Sequence, residues 1–233
     1  MTSLVDATLL ITGANGGLGS HFARIALERG ARRVYATARS PREATDSRIV
    51  PLALDVTSSA SVRAAAQAAA DTTIVVKNAG IAGGNSLLST DLDEVRRVFD
   101  TNVFGALSVA QAFAPVLARN GGGALIDVHS ALSWLARAGA YSASKAALWS
   151  ITNSLRLELQ AQGTQVLGAH LGYADTPMTE GLDVAKADPA DIVAAIYDAL
   201  ESGEHEVLAD AVSVTVKAAV SQPLPVLYPE LAR

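Results

Sequence analysis

Thr8-Leu9-Leu10-Ile11-Thr12-Gly13-Ala14-Asn15-Gly16-Gly17-Leu18-Gly19 is the stretch from which the fold can be read. A short apolar run bounded by glycine is a buried strand. Residues 20–29 follow with Phe22, Ile25, Ala26 and Leu27 on one helical face, and Gly30 closes that helix. Strand, glycine loop and helix together open a βαβ unit. The glycines are spaced Gly13-xxx-Gly17-x-Gly19 rather than in the general GxGxxG pattern. The physics is the same in both. A backbone without Cβ atoms turns sharply and comes close to a pyrophosphate, and the N-terminus of the helix offers it unpaired N–H groups. A plain tight turn is the competing reading of the loop taken alone.

Working outward, apolar strand-like runs recur at 33–39, 49–54, 73–76, 124–130, 165–171 and 206–209. Between them lie helical segments: one running from Thr57 or Ser58 to about residue 70, then 91–119, 139–162 and 188–200, the last capped by Asp188 with Pro189 at its first position. Pro115 removes one hydrogen bond from the long 91–119 helix. The tail, with Pro223, Pro225 and Pro229, is expected to be extended. Strands alternating with helices imply an α/β fold, a parallel sheet covered on both faces in three layers. No repeat or linker interrupts the pattern, so residues 1–233 read as one domain.

The 233 residues are 50% apolar and only 18% charged, which favours a large core and buried subunit faces. A net charge of −5 and no basic run argue against a nucleic-acid partner. The chain has no cysteine, so disulfides and thiolate metal sites are ruled out. The four histidines, at 21, 129, 170 and 205, lack zinc-motif spacing, and no metal is expected. The start, Met1-Thr2-Ser3-Leu4-Val5-Asp6-Ala7, is not that of a secretory leader. No apolar stretch is expected to span a membrane, and a cytoplasmic protein is the default.

Tyr141 and Lys145, four apart, share one face of the 139–162 helix. An ammonium held beside a phenol lowers its pKa from about 10 and suits it to general acid/base work. A packed ring and a solvated charge is the bland reading of the pair. At the end of the second strand stand Ala38 and Arg39, where an NAD enzyme carries an acidic residue. Arg39 suits a 2′-phosphate and favours NADP(H) over NAD(H); a solvated arginine is the alternative. Asp55, at the end of the third strand, either accepts from an adenine amino group or caps the helix that follows.

Thr12-Gly13…Gly17-x-Gly19, Asn78-Ala79-Gly80, Asn102, Ser130 and Tyr141-xxx-Lys145 occur in that order. The ordered set resembles the short-chain dehydrogenase/reductase family over nearly the whole chain. The resemblance implies a Rossmann-type doubly wound sheet of about seven parallel strands, an NAD(P)(H) cofactor and hydride transfer at a carbonyl carbon. It implies Tyr141 as general acid/base and Lys145 on the nicotinamide ribose. It also implies Ser130 on the substrate oxygen and Asn102 holding a water of the proton relay. Gly13, Gly17 and Gly19 would face the pyrophosphate, Asn78 and Gly80 would brace the adenosine side, and Thr176 would hold the carboxamide. Thr12, Asn15, Leu18, Val56, Ala79 and Gly172 complete the implied cofactor set.

Three departures stand out. Lys77 replaces a usual asparagine, Leu171-Gly172 replaces Pro-Gly, and Ser130 lies closer to Tyr141 than is usual, with Ser133 as a rival. Trp134, Leu135, Tyr173 and Met178 either line an apolar substrate pocket or simply pack. The expected function is reduction of an uncharged, apolar ketone or aldehyde, reversible to alcohol oxidation, by a homodimer or homotetramer. A sugar-nucleotide epimerase would need a further substrate domain, and a dinucleotide-sensing regulator tends to lose the tyrosine or lysine that this chain keeps.

Overall fold

The computed structural model describes residues 2–232. Seven strands form one parallel sheet in the order β3-β2-β1-β4-β5-β6-β7. They are β1 (Thr8–Thr12), β2 (Arg33–Ala38), β3 (Ile49–Ala53), β4 (Ile74–Lys77), β5 (Ala124–Val128), β6 (Gln165–His170) and β7 (Glu206–Leu208). Pro51 is tolerated because β3 is an edge strand, paired only with β2.

Alternation along the strands divides the core in two. Leu9 and Ile11, with Ile74, Val76, Ile126 and Leu167, meet α1 (Gly17–Glu28) and α6 (Pro189–Glu201) on one face. There the buried Tyr197 ring meets Phe22 edge-on, and its hydroxyl donates to the Phe22 carbonyl at 2.9 Å. Leu10, Val75, Leu125 and Val166 meet α2 (Ser59–Ala68), α4 (Ala106–Arg119) and α5 (Gly139–Glu158) on the other. The order reverses between β1 and β4, so the loops leaving those two strands diverge and open a crevice at the carboxyl edge.

Two expectations are corrected. The segment expected as one helix is α3 (Leu92–Phe99), a π-helical stretch Asp100–Gly105, and α4; by length and composition Leu92–Arg119 is apolar enough to cross a membrane. Half of its apolar window is buried, as in a core helix, because α4 packs on α2 and β4. The irregularity falls at Asn102, not at Pro115. The tail is not extended. It holds α7 (Ala211–Ala219) and α8 (Leu224–Leu227). The Val-Ser-Val-Thr-Val alternation hides α7, which starts because the Asp210 carboxylate accepts from the Ser213 amide at 2.7 Å.

Candidate active site

The ends of β1 and β4 are stapled by one buried hydroxyl. Thr12 Oγ1 accepts from the amides of Asn78 (3.0 Å) and Ala79 (2.9 Å) and donates to the Val76 carbonyl (3.3 Å). Asn78 Nδ2 donates to the carbonyls of Thr12 (2.9 Å) and Gly13 (3.2 Å), so it braces the glycine loop from beneath. Gly19 has no room for a side chain: a Cβ there would lie 2.2 Å from the Gly13 carbonyl oxygen. Gly13 and Gly17 have φ of 68° and 54°, in the left-handed region that favours glycine. The first turn of α1 carries no side-chain cap and no acidic residue. A bare glycine-lined helix N-terminus of this kind fits a pyrophosphate.

Around this cradle, Gly17 faces the Thr176 methyl, which brings the loop after β6 to the glycine turn. Asn15 is held on the other side, donating to the Ser40 carbonyl at 2.8 Å and accepting from the Arg42 amide at 3.2 Å. Arg39 is exposed and, among the described residues, makes no ion pair. Asp55 accepts from the Thr57 hydroxyl (2.7 Å) and amide (2.9 Å), which hold its carboxyl below the usual range, with a smaller contribution from Arg39. The helix that follows is capped by Ser58, whose hydroxyl accepts from the Ser61 amide at 3.3 Å, so Asp55 orders the turn before it and is not the cap. Val56 packs against Gly105.

Ser130 follows β5 and Tyr141 lies in the first turn of α5. The Ser130 hydroxyl accepts from the Leu132 amide at 3.1 Å and is near enough to the Tyr141 phenol to pull its pKa down. Ser133 is occupied in a cap, its hydroxyl facing the Ser130 amide. Lys145 Nζ donates to the Val128 carbonyl at 2.8 Å and lies 5.7 Å from the centre of the Tyr141 ring. A methyl group added at Gly80 would lie 3.8 Å from that Nζ. The lysine thus borders the same crevice as the Asn78–Gly80 turn.

The expected lowering of the phenol's pKa is not what the chain shows. Burial pushes Tyr141 up to about 12, the Ser130 hydroxyl pulling it back down and Tyr173 adding to the rise. Burial also pushes Lys145 down to about 8, with Asp127 opposing. The ammonium is drawn to a backbone carbonyl instead of the phenol oxygen, so desolvation outweighs it at Tyr141. A neutral phenol at pH 7 is the form that donates a proton.

Asn102 sits inside the π-helical stretch, an irregularity frequent at functional sites. Its amide is committed to bracing. Oδ1 accepts from the Ile81 amide (2.9 Å), while Nδ2 donates to the Ile81 carbonyl (3.0 Å) and to Ser144 Oγ (3.0 Å). Ser144 donates in turn to the Tyr141 carbonyl at 2.7 Å. Ser144 is a functional neighbour that the reading of Tyr141 and Lys145 passed over, although it lies between them.

Trp134 packs against β6 and the C-terminal helix α7. It stacks on His170 (centroids 3.9 Å apart), meets Trp149 edge-on, and lies under Lys217. The packing reading is the correct one for it. Tyr173, by contrast, is 38% exposed and close enough to Tyr141 to raise its pKa, and Met178 is exposed. His129 points away from Ser130 onto His170, and burial pushes both imidazoles below their ordinary value. His170 Nδ1 lies 3.3 Å from the Ser130 carbonyl, a support that strand reading alone did not reveal.

A family model described as short chain dehydrogenase matches residues 7–187. The chain belongs to the short-chain dehydrogenase family. The same membership is borne out by Short-chain dehydrogenase cctT of Talaromyces islandicus, 35% identical over 190 residues, which are 76% of this chain and 66% of that protein. An uncharacterized oxidoreductase of Staphylococcus aureus (strain N315) is 32% identical over 222 residues, 88% of this chain and 95% of that one. Among solved structures, a short chain dehydrogenase from Burkholderia cenocepacia J2315 in complex with NADP superposes with a TM-score of 0.93 at 33% identity, covering 99% of both chains. This short-chain dehydrogenase therefore has the Rossmann-type fold expected of it and is an oxidoreductase of that family.

Proposed function

We propose that this short-chain dehydrogenase reduces a ketone or aldehyde to an alcohol, reversibly, with NADP(H) as hydride carrier and Tyr141 as general acid/base. The observation that carries the reading is the placement of Tyr141 and Lys145 together at the crevice, with Lys145 Nζ 5.7 Å from the Tyr141 ring centre and bordering Gly80, and Ser130 near enough to act on the phenol. Thr12, Gly13, Asn15, Gly17, Leu18, Gly19, Asn78, Ala79 and Gly80 would hold the cofactor on one side, with Asp55 and Val56 at its adenine end, and Gly172 and Thr176 would close the other. When bound, the nicotinamide supplies the hydride.

The remaining work belongs to the chain. A carbonyl oxygen set between Ser130 and Tyr141 receives two hydrogen bonds as negative charge grows on it. Tyr141 gives up its proton to that oxygen, and Lys145 and Ser130 stabilise the phenolate left behind. Asn102, through Ile81 and Ser144, keeps the crevice wall and the first turn of α5 in register; a relay water bound at Asn102 belongs to the same proposal. Arg39, exposed and without an ion-pair partner among the described residues, supports NADP(H), as does the NADP bound by the Burkholderia relative.

Exposed Tyr173, Met178, Leu182 and Val184 on the loop over 173–187 favour an apolar, uncharged substrate. Phe104 and Leu157, 59% and 75% exposed on the long helices, support a homodimer or homotetramer. One cytoplasmic domain over 1–233 is part of the same reading. The test is a spectrophotometric screen of NADPH and NADH oxidation against aromatic ketones, aldehydes and small keto esters. Turnover with NADPH in preference to NADH is expected, and binding of neither dinucleotide would remove the reading.

A further inference from the structure

Ser130 and Tyr141 are joined by residues 131–140, and both ends of that segment are fastened to the site. At one end the Leu132 amide donates to the Ser130 hydroxyl at 3.1 Å. At the other, the Ala138 carbonyl accepts from the amides of Tyr141 (3.0 Å) and Ser142 (3.3 Å), and the Ala138 amide donates to Ser142 Oγ at 3.0 Å. The middle is held from the far end of the chain. The Ala136 amide donates to the Tyr228 hydroxyl at 2.9 Å. Arg137 Nη1 and Nη2 donate to Glu230 Oε1 (2.5 Å) and Oε2 (2.9 Å), a two-pronged pair. The same guanidinium lies 5.4 Å from the centre of the Tyr228 ring.

Neither α8 nor the turn Pro229–Leu231 contains a buried residue. Leu224, Val226 and Leu231 are exposed. This last stretch therefore adds little to the core. Its ion pair adds little to global stability either, since the Arg137 and Glu230 side chains are 40% and 64% exposed. The effect of these contacts falls on the segment they touch. Ala138 comes directly after Arg137 and carries the first backbone bonds of α5, so a displacement of residues 136–137 passes straight to the turn that bears Tyr141. A local opening of the tail frees that segment while the sheet stays folded.

We infer that Tyr228 and Glu230 are positioning residues, which hold residues 136–138 so that Tyr141 keeps its place near Ser130. This rests on the proposed role of Tyr141 as general acid/base. The bonds that Tyr228 and Glu230 make go to residues 136 and 137 and not to the glycine loop, so what they govern is proton transfer rather than cofactor binding.

The test reads Tyr141 directly. The chain has tyrosines only at 35, 141, 173, 197 and 228, so NMR on protein labelled in the tyrosine rings gives few signals, and that of Tyr141 is assigned with Tyr141→Phe. Tyr228→Phe removes the hydroxyl and keeps the ring; Glu230→Gln removes the charge. In the double variant the Ala136 amide is expected to exchange its hydrogen about tenfold faster. The Tyr141 signal is expected to shift or broaden, while those of Tyr35 on β2 and Tyr197 on α6 stay. NADPH affinity and Tm are expected to hold, and kcat for carbonyl reduction to fall about tenfold. Tyr228→Phe alone keeps the test open should the double variant fail to fold. An Ala136 amide as protected as in wild type, an unmoved Tyr141 signal, or an unchanged kcat overturns the inference and leaves the tail a packing feature. Exchange and labelled spectra need no substrate, so they separate this inference from the proposed activity. A moved Tyr141 signal in a protein whose wild type shows no carbonyl turnover retains the positioning and removes the activity; wild-type turnover with an unmoved signal does the reverse.

Discussion

Replacing Thr12 with valine removes one oxygen and changes little in shape, yet it should weaken both the fold and the cofactor site. Thr12 Oγ1 is the acceptor for two amides, of Asn78 and Ala79, and the donor to the Val76 carbonyl. Valine leaves three backbone groups without that partner. A buried group without its partner costs about 1–3 kcal/mol. Both amides are only partly buried, so the lower half of that range applies to them. The two amides alone give about 2–4 kcal/mol, or a fall of roughly 5–15 °C in Tm for a chain of this size, before any cost at the Val76 carbonyl. Thr12→Ser keeps the hydroxyl, loses one methyl, and should cost only about 1 kcal/mol. Thermal melts and urea titrations of the three proteins check the ordering, and NADPH titrations check the consequence at the site. With the Asn78–Ala79 turn released, Gly13 loses its brace, so NADPH should bind more weakly to the valine variant than to the serine one. Equal stability of the two variants would refute the claim that this hydroxyl staples β1 to β4.

Other expectations can be checked with the same materials. Arg39→Asp should lower the NADPH-to-NADH preference by about tenfold to a hundredfold, the scale of a lost charged hydrogen bond; an unchanged ratio in steady-state assays would defeat the 2′-phosphate role. Gly19→Ala forces a methyl to 2.2 Å from the Gly13 carbonyl and should weaken NADPH binding by roughly tenfold or more, which calorimetry can measure. Folding stability should fall in mild acid. His170 is pushed down from its ordinary 6.5 to about 4, and His129 is lowered with it. Between those values the unfolded chain binds protons that the folded chain refuses, so stability is complete above about pH 6.5. It drops as pH falls toward 4, by up to about 1.4 kcal/mol per unit for each histidine. Urea midpoints that are the same at pH 5 and pH 7 would contradict this.

How much of this was legible beforehand depended on whether a feature is local. The β1–glycine loop–α1 unit is written in adjacent residues, so its strand, turn and helix could be read within a few positions of the structure. The seven strands followed from apolar runs between helical stretches. Tyr141 and Lys145 were visible by spacing, but the destination of the ammonium was not. It is the carbonyl of Val128, 17 residues away, and only tertiary packing reveals it. The same holds for Lys77, whose buried partner Asp127 depends on the register between two strands. Trp134 left two readings open, because an aromatic residue near Ser130 can line a pocket or pack; its stack on His170 is a contact between residues far apart in sequence. Helix α7 escaped because its valines alternate as in a strand, and the Asp210 cap decided otherwise.

The account is tested most directly by comparing wild type and Tyr141→Phe for NADPH binding and for carbonyl-dependent NADPH oxidation in the same preparation. Equal NADPH affinity with turnover confined to the wild type is the predicted result. Turnover retained by the phenylalanine variant would contradict it.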